Sequence, residues 1–262
     1  MVTGISRNPK TKETATTMRL LAAGAAVGPL FIGASLIQAL IREGFQPTRH
    51  AISLLLLGDF GWIQLVNFVV TGILAITLAV GTRRMLRASK GGTWGPLLIG
   101  AYGVLLIAAG LFAPDPAFSF PYGTPEGVAS TMSGHAGLHS LAFFGLTSSV
   151  VAACFVFARR FRKLGQRSWA NYCLVTGLGT PILLIAGIGL SVNGNGGLPL
   201  LGVAVTTASW FTAIAVRLRA EIRLGAARSG GPRFGAECVL CRHVSSPPRS
   251  KTPDTVTLRG TT

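Results

Sequence analysis

The feature that most restricts the fold of this chain is a series of six apolar stretches, each long enough to cross a membrane. They cover residues 18–41, 61–81, 94–113, 135–158, 169–192 and 198–216, the last interrupted by Thr206, Thr207 and Ser209. About 20 residues of helix span the roughly 30 Å of hydrocarbon in a bilayer. Lipid offers the backbone no hydrogen-bond partners, so these stretches must be helices. We therefore predict an all-α, polytopic membrane bundle of six transmembrane helices.

The composition argues against a soluble domain of this length. Hydrophobic residues make up 49% of the chain and charged residues only 12%, whereas soluble domains carry about 25% charged residues. A chain with so few charges cannot cover a globule with solvated side chains, so lipid must surround much of its surface. The 34 glycines suit helices that approach each other closely in a membrane.

The distribution of basic residues predicts the orientation. All Lys and Arg except Arg42 and Arg49 lie before or at the very start of the first stretch, in the second-to-third and fourth-to-fifth connections, or after the sixth stretch. Segments rich in Lys and Arg remain in the cytoplasm, so we predict a multi-pass protein of the cell membrane with both termini cytoplasmic. Arg49 is expected to pair with Glu43 or Asp59. The predicted outer loops are residues 42–60, 114–134 and 193–199.

The net charge of +16 raises the question of nucleic-acid binding. The basic residues form short clusters between apolar stretches, and no soluble domain remains to carry a basic face, so we expect no nucleic-acid partner. The basic loops and tail are instead expected to contact anionic lipids of the inner leaflet, each charge contributing roughly 1 kcal/mol close to the surface. We interpret residues 1–17 as a cytoplasmic segment and 217–262 as a basic, disordered tail. Whether the protein forms an oligomer stays open.

Two of the predicted outer loops are more than connectors. The first contains AISLLLL, residues 51–57, which is apolar but too short to span the bilayer, so we expect it to lie in the interface or dip into the bundle. The second carries several prolines and the aromatic residues Phe118, Phe120 and Tyr122. That composition favours an ordered lid at the level of the lipid headgroups.

Two histidines at the start of the fourth stretch are candidate site residues. His135 and His139 lie four positions apart, which places both on one helix face with the spacing of many metal-binding pairs. His50 and Asp115 are possible further ligands on the same side, and Ser53 is a further catalytic candidate. A zinc ion held by histidines and a carboxylate activates water. The alternative is structural, with one histidine bonding a neighbouring helix, the other in the wet interface, and Asp115 a helix cap or loop charge.

Three short motifs resemble a known family. They are PTRHAISLLLLGDFGWIQLVNFVVTG after the first stretch, APDP after the third, and SGHAGLHSLAFF opening the fourth. Together they are similar to the bacterial and archaeal membrane family catalogued as domain of unknown function 998, over about Met18 to Val216. The resemblance implies six helices, with His50, Asp115 and His139 among the recurring polar positions, and no established activity. LLLLGD departs from the more polar turn expected there.

A polar stripe in the second stretch has two interpretations. Gln64, Asn67 and Thr71 are spaced i, i+3, i+7 and share one helix face. Such a stripe lines a polar path or, as we favour, forms hydrogen bonds between helices of about 0.6 kcal/mol each. In the tail, CVLCRH (238–243) offers three potential zinc ligands without a fourth, and we interpret it as a chance cluster.

Three functions follow from these features. The first is a non-catalytic membrane component whose outer His/Asp cluster ties loops to helices. The second is a metal-dependent hydrolase of the outer leaflet acting on lipid or a lipid-linked substrate. The third is a transporter of small solutes along the polar stripe. We rank them in that order, and whether the protein is an enzyme stays open.

Overall fold

The computed structural model describes residues 9–87, 89 and 91–230, and within these residues the regular elements are all helical. The α-helices are α1 (Pro9–Gly24), α2 (Val27–Ile41), α3 (Gly61–Leu86), α4 (Trp94–Leu111), α5 (Gly134–Lys163), α6 (Arg167–Ser191) and α7 (Gly197–Gly230). A short 3-10 helix, Ile52–Leu56, lies between α2 and α3.

Six segments of the described chain are long and apolar enough to cross a membrane. The first comprises most of α1 together with α2, and each of the other five α-helices supplies one. The predicted all-α, six-span fold is therefore confirmed, and the protein is a multi-pass membrane protein. The loops 42–60, 112–133 and 192–196 form what we call the cap end, and the opposite end is called the arginine-rich end.

Several helices extend beyond the apolar stretches at the arginine-rich end. Helix α3 continues to Leu86, α5 to Lys163 and α7 to Gly230, past the ends that hydropathy predicts. Arg and Lys are good helix formers and favour the negative end of the helix dipole. Residues 217–230 are consequently helical rather than disordered as predicted, while the remainder of the tail, with CVLCRH, lies outside the described residues.

The first span is two helices, although the sequence predicts one over residues 18–41. Pro29 has no N–H, so the Ala25 carbonyl lacks its usual helical partner. The Thr212 hydroxyl of α7 donates to that carbonyl at 3.0 Å and accepts the Gly28 N–H at 3.1 Å. Backbone groups freed inside a membrane must find such partners. Gly28 permits the approach, because a Cβ there would lie 2.6 Å from the threonine oxygen.

The core between α4, α5, α6 and α7 is rich in aromatic side chains. Trp210 and Phe211 of α7 are fully buried. Ring centroids lie 4.3 Å apart for Tyr102 and Phe211, and 5.6 Å apart for Phe157 and Trp210. The Trp210 indole N–H donates to Cys173 Sγ at 3.4 Å. These contacts join four spans, and the buried indole has the partner that it needs.

The faces that point away from this core are also apolar. Leu40 of α2 and Val175 and Ile185 of α6 are among the large hydrophobic residues that the bundle leaves exposed. Patches of this kind on a protein in water mark sites of association or aggregation. Around a six-span bundle they are the surface that lipid covers.

The arginine-rich end contains the ion pairs found among the described residues. The Arg160 guanidinium lies 3.1 Å from one carboxylate oxygen of Glu221, and Arg217 lies 3.7 Å from the other. Arg217 also sits over the Trp169 ring at 5.7 Å. One carboxylate thus joins α5 to α7.

Candidate functional site

His50 lies at the centre of the cap end and is 2% exposed. The Gln46 backbone N–H donates to Nδ1 at 2.9 Å, and Nε2 lies 3.0 Å from the Phe118 carbonyl. A nitrogen that accepts carries no proton, so the proton is on Nε2, which donates to Phe118. His50 therefore ties the α2–α3 loop to the α4–α5 loop as a neutral ring in one fixed tautomer.

An aromatic cluster surrounds this tie. The ring centroids of Phe45, His50 and Phe120 lie 5.2–5.3 Å apart, and Phe45 and Phe120 belong to a small buried core at the cap end. Burial lowers the pKa of His50, the bond to the Phe118 carbonyl opposes this, and the charge of Arg49 adds to the lowering. The surroundings thus favour the uncharged imidazole.

The α4–α5 loop reaches His50 through an unusual backbone turn. Phe118 and Ser119 both have positive φ, at 54° and 63°, a region that costs a non-glycine residue roughly 1–3 kcal/mol. Their N–H groups donate to the carbonyls of Gly127 and Pro125. The turn is therefore held from both sides, by its own loop and by His50.

Arg42 is the second tie between the cap loops. Its guanidinium donates to the Leu57 carbonyl at 2.6 Å and to the Leu55 carbonyl at 3.3 Å. Its Cζ lies 5.3 Å from the Phe120 ring centroid, within cation–π range. The end of α2, the 3-10 segment and the α4–α5 loop are thereby joined.

His139 ties α5 to the end of α4. It is 6% exposed, and its Nδ1 lies 2.8 Å from both the Ala109 and Phe112 carbonyls. Both partners accept, so Nδ1 carries the proton. The last carbonyls of a helix have no partners within it, and this imidazole satisfies two of them. The other histidine of the pair, His135, is exposed and packs its ring edge-on against Phe112 at 5.7 Å.

Asp115 has a capping role. Its carboxylate accepts the Ser133 N–H at 2.9 Å, and the Ser133 side chain caps α5 by accepting the Ala136 N–H at 3.1 Å. The hydrogen bonds from Ser133 lower the pKa of the Asp115 carboxyl. The structure therefore supports the helix-cap interpretation of this residue.

A cavity of about 370 Å³ lies beneath the cap. This volume falls within the roughly 300–1,000 Å³ range of small-molecule pockets. The α2–α3 and α4–α5 loops and helices α2 to α7 contribute to its walls, which are mostly apolar. Ser53 and His139, two of the predicted site residues, line it together. His50 contributes indirectly by holding Phe118, which also lines it.

Polar side chains line the cavity at several depths. Arg49 and Ser53 come from the α2–α3 loop, whereas Tyr102 and Thr207 belong to the middle of α4 and α7. Tyr102 precedes the cap end of α4 by about nine residues, roughly 13 Å at 1.5 Å per residue. The cavity therefore extends from the cap well into the membrane-spanning part of the bundle.

Comparison with models of known protein families identifies the family of this chain. A family model described as "Protein of unknown function (DUF998)" matches residues 25–217, which is more than half of the chain. This chain is a DUF998 protein. The matched region contains every residue that lines the cavity, and the resemblance inferred from three short motifs is confirmed. No curated protein and no solved structure matches the chain.

The four predicted zinc ligands of this DUF998 protein do not converge. Among residues 9–87, 89 and 91–230, no three His, Cys, Asp or Glu side chains are grouped so that they could hold a metal ion. His50 uses both ring nitrogens for backbone groups, and Asp115 accepts from Ser133. His135 is exposed, while His139 is buried against α4. His135 and His139 lie on one helix, as their spacing predicts, but they contact different residues.

The polar stripe of α3 packs against α2. Gln64, Asn67 and Thr71 are buried. Gln38 donates to the Gln64 side-chain oxygen at 2.7 Å, and Asn67 donates to the Phe31 carbonyl at 3.1 Å. These bonds agree with the interpretation as interhelical hydrogen bonding and remove the stripe as support for a transport path in this DUF998 protein.

Sequence reasoning did not identify Arg49 as a site residue. It was expected to pair with Glu43 or Asp59, but the ion pairs of the described chain involve neither it nor those carboxylates. Its guanidinium instead lies over the Phe118 ring at 5.8 Å and lines the cavity. The available signal was its rarity, because it is one of two basic residues between the first and second stretches, and ionisable residues near lipid are functional candidates by default.

Proposed function

We propose that this DUF998 protein is a non-catalytic membrane protein that binds a small, largely apolar molecule in the cavity beneath its cap. The observation that carries the proposal is the cavity itself, about 370 Å³ between the α2–α3 loop, the α4–α5 loop and six helices. Its walls are held in place by His50, His139 and Arg42, each of which bonds backbone carbonyls. The polar side chains thus maintain the shape of a binding site.

The hydrogen bonds around His139 support binding over hydrolysis by a serine nucleophile, and the described residues hold no group of metal ligands for the alternative mechanism. A serine nucleophile requires a histidine base within about 2.6–3.2 Å of its oxygen, and a further group that orients the base. His139 has orienting partners in two carbonyls. The serines that line the cavity, Ser53, Ser140 and Ser191, make no hydrogen bond to it within the described chain; the Ser191 hydroxyl donates to the Gly187 carbonyl instead.

We infer further that the cap end faces outward from the cell membrane and that both termini are cytoplasmic. The basic residues of α3, α5 and α7 gather at the opposite end, as expected for segments retained inside. Their charges and those of the tail would then contact anionic lipids of the inner leaflet. A reporter enzyme fused after Arg160 tests the orientation, and activity outside the cell contradicts it.

A cavity-filling substitution tests the binding proposal. Ala204 lines the cavity from α7, so Ala204→Phe should occupy the volume that the ligand needs. The neighbouring Val205 is 40% exposed, and Val205→Phe is the matched control that adds bulk to the outer face. We expect a photoreactive fatty alcohol to label cavity-lining peptides of the wild-type protein in nanodiscs. Ala204→Phe should reduce that labelling about tenfold, which corresponds to a loss of about 1.4 kcal/mol in binding free energy.

Two outcomes of this experiment contradict the proposal. One is that the fatty alcohol labels only lipid-facing peptides of the wild-type protein. The other is that Ala204→Phe, shown by thermal unfolding to be folded, is labelled in the cavity as strongly as Val205→Phe.

A further inference from the structure

The two arginines of the cap end differ in whether their guanidinium groups have hydrogen-bond partners. Arg42 is satisfied, because its guanidinium donates to the Leu55 and Leu57 carbonyls and lies over Phe120. Arg49 lines the cavity and is half-buried. Its guanidinium makes no hydrogen bond or ion pair with any residue that the structure describes, and its one ring contact is to Phe118.

A guanidinium in this position has lost part of its water without gaining an anion. Burying a charge is costly unless the charge is paired. The cap carboxylates do not supply the pair. Asp115 accepts from Ser133, and the exposed residues Glu43, Asp59 and Glu126 form none of the ion pairs seen in the described chain. An anionic group entering the cavity would satisfy Arg49.

The position of Arg49 is fixed by the same contacts that hold the cap. Its guanidinium lies over the Phe118 ring at 5.8 Å, and the Phe118 carbonyl accepts from His50. Stacking on an aromatic ring leaves the edge of the guanidinium free for the bidentate hydrogen bonds that carboxylates and phosphates accept. Ser53, on the same loop, supplies a hydroxyl to the cavity near this end.

Below Arg49 the walls are mostly apolar. Phe31, Phe68, Leu106, Leu146 and Val203 line the cavity between the cap and Tyr102. The volume of about 370 Å³ lies near the lower end of the range for small-molecule sites and suits one apolar chain better than two. A charge at the cap end and mostly apolar walls that reach Tyr102, about 13 Å below the end of α4, match an amphiphile in polarity.

We propose that the ligand is a single-chain anionic amphiphile. Its head group, a carboxylate or a phosphate monoester, binds the Arg49 guanidinium at the cap end, and its chain lies between the helices toward Tyr102. The inference rests on the proposed binding function and adds the charge, the position and the number of chains of the ligand.

Three photoreactive probes of equal chain length separate this inference from the function on which it rests. They are a fatty acid, the corresponding alkyl phosphate and the corresponding fatty alcohol, each presented to the full-length protein in phosphatidylcholine nanodiscs. We expect the two anionic probes to label cavity peptides about tenfold more than the alcohol, because hydrogen bonds between charged groups are the strongest that the site can offer. The relation between acid and phosphate identifies which anion the site prefers.

Variants of Arg49 locate the preference. Arg49→Gln should label equally with all three probes, while Arg49→Lys should keep part of the preference because it keeps the charge but loses the bidentate geometry. The matched control is Arg84→Gln, an exposed arginine at the opposite end of the bundle, which should behave as the wild-type protein does. Thermal unfolding in the same nanodiscs shows whether each variant is folded.

The outcomes are distinguishable. Cavity labelling that is equal for anionic and neutral probes in the wild-type protein overturns the inference and leaves apolar binding intact. A folded Arg49→Gln protein that retains the anionic preference also overturns it. Absence of cavity labelling by all three probes overturns the binding function itself, and with it the inference.

Discussion

At the cap end, three side chains hold the structure by donating to backbone carbonyls, whereas at the arginine-rich end two arginines share one carboxylate. His50, His139 and Arg42 all donate to carbonyls of neighbouring segments, and Arg160 and Arg217 share Glu221. Carbonyl partners are fixed by the backbone and carry no charge. The cap is sensitive to protonation of His50, because Nδ1 of that ring accepts the Gln46 N–H, and the opposite end is sensitive to salt and to loss of one carboxylate.

The largest effect should follow removal of His139. In His139→Ala, two helix-end carbonyls lose their donor and a buried ring leaves a void, so we expect a loss of about 2–4 kcal/mol in unfolding free energy. His135→Ala is the matched control, because His135 is exposed and its loss should cost under about 0.5 kcal/mol. Thermal unfolding in detergent measures both. Equal destabilisation by the two substitutions would show that the buried tie is not what holds α5 to α4.

A smaller effect should come from acidification of the cap. Burial lowers the pKa of folded His50 below the usual 6.5, so on acidification the unfolded chain takes up its proton first. The stability that neutral His50 contributes is therefore complete above about pH 6.5 and is lost as the pH falls through the folded pKa. Protonation also removes the Nδ1 acceptor for Gln46. The expected loss is about 1 kcal/mol, the net value of one hydrogen bond.

Hydrogen exchange of residues 117–127 between pH 7.5 and 5.5 measures this opening of the cap, after correction for the intrinsic dependence of exchange on pH. His50→Phe keeps the aromatic ring and cannot be protonated, so its corrected protection should not change with pH. Protection that is constant in the wild-type protein, or that falls equally in His50→Phe, would assign the effect to another group.

The smallest effect should be at the arginine-rich end. Glu221→Gln removes the charge that Arg160 and Arg217 share, and these side chains are 11–18% exposed. The glutamine amide oxygen still accepts a hydrogen bond from Arg160, so we expect a loss of at most about 1 kcal/mol. The loss should shrink as salt screens the pair, whereas the effect of His139→Ala should stay constant. Glu126→Gln in the exposed α4–α5 loop is the control. If the loss of stability in His139→Ala depended on salt in the same way, the proposed difference between the two ends would be wrong.

The sequence predicts the six spans because length and hydropathy alone determine what crosses a bilayer. It does not predict where the helices end, since Arg83, Arg84 and Arg162 are polar by hydropathy yet good helix formers. The break in the first span had a local signal in Pro29. The hydrogen bonds from Thr212 that stabilise this break had no local signal, because Thr212 lies 184 positions from Gly28 in the chain.

The candidate residues of the site were recognisable, but their roles were not. His50 and His139 attract notice as ionisable groups near lipid. Their partners are carbonyls 68 and 27–30 positions away, and any residue type supplies a carbonyl, so no pattern reveals them. Arg49 was assigned to Glu43 or Asp59 because these are close in sequence. The cavity is the space left between side chains of six helices, which only their packing determines.

The bond from His139 to the end of α4 fixes how deeply α5 sits beside its neighbour. Sliding α5 by one turn moves the imidazole by about 5.4 Å, too far for either carbonyl to accept from it. The axial position of α5 relative to α4 is thus set by a bond inside the bundle. The length of the loop between these two helices need not set it. Residues 129–132 are exposed and lie beyond the carbonyls that hold the Phe118 turn, so residues can be inserted there without displacing the spans beneath them.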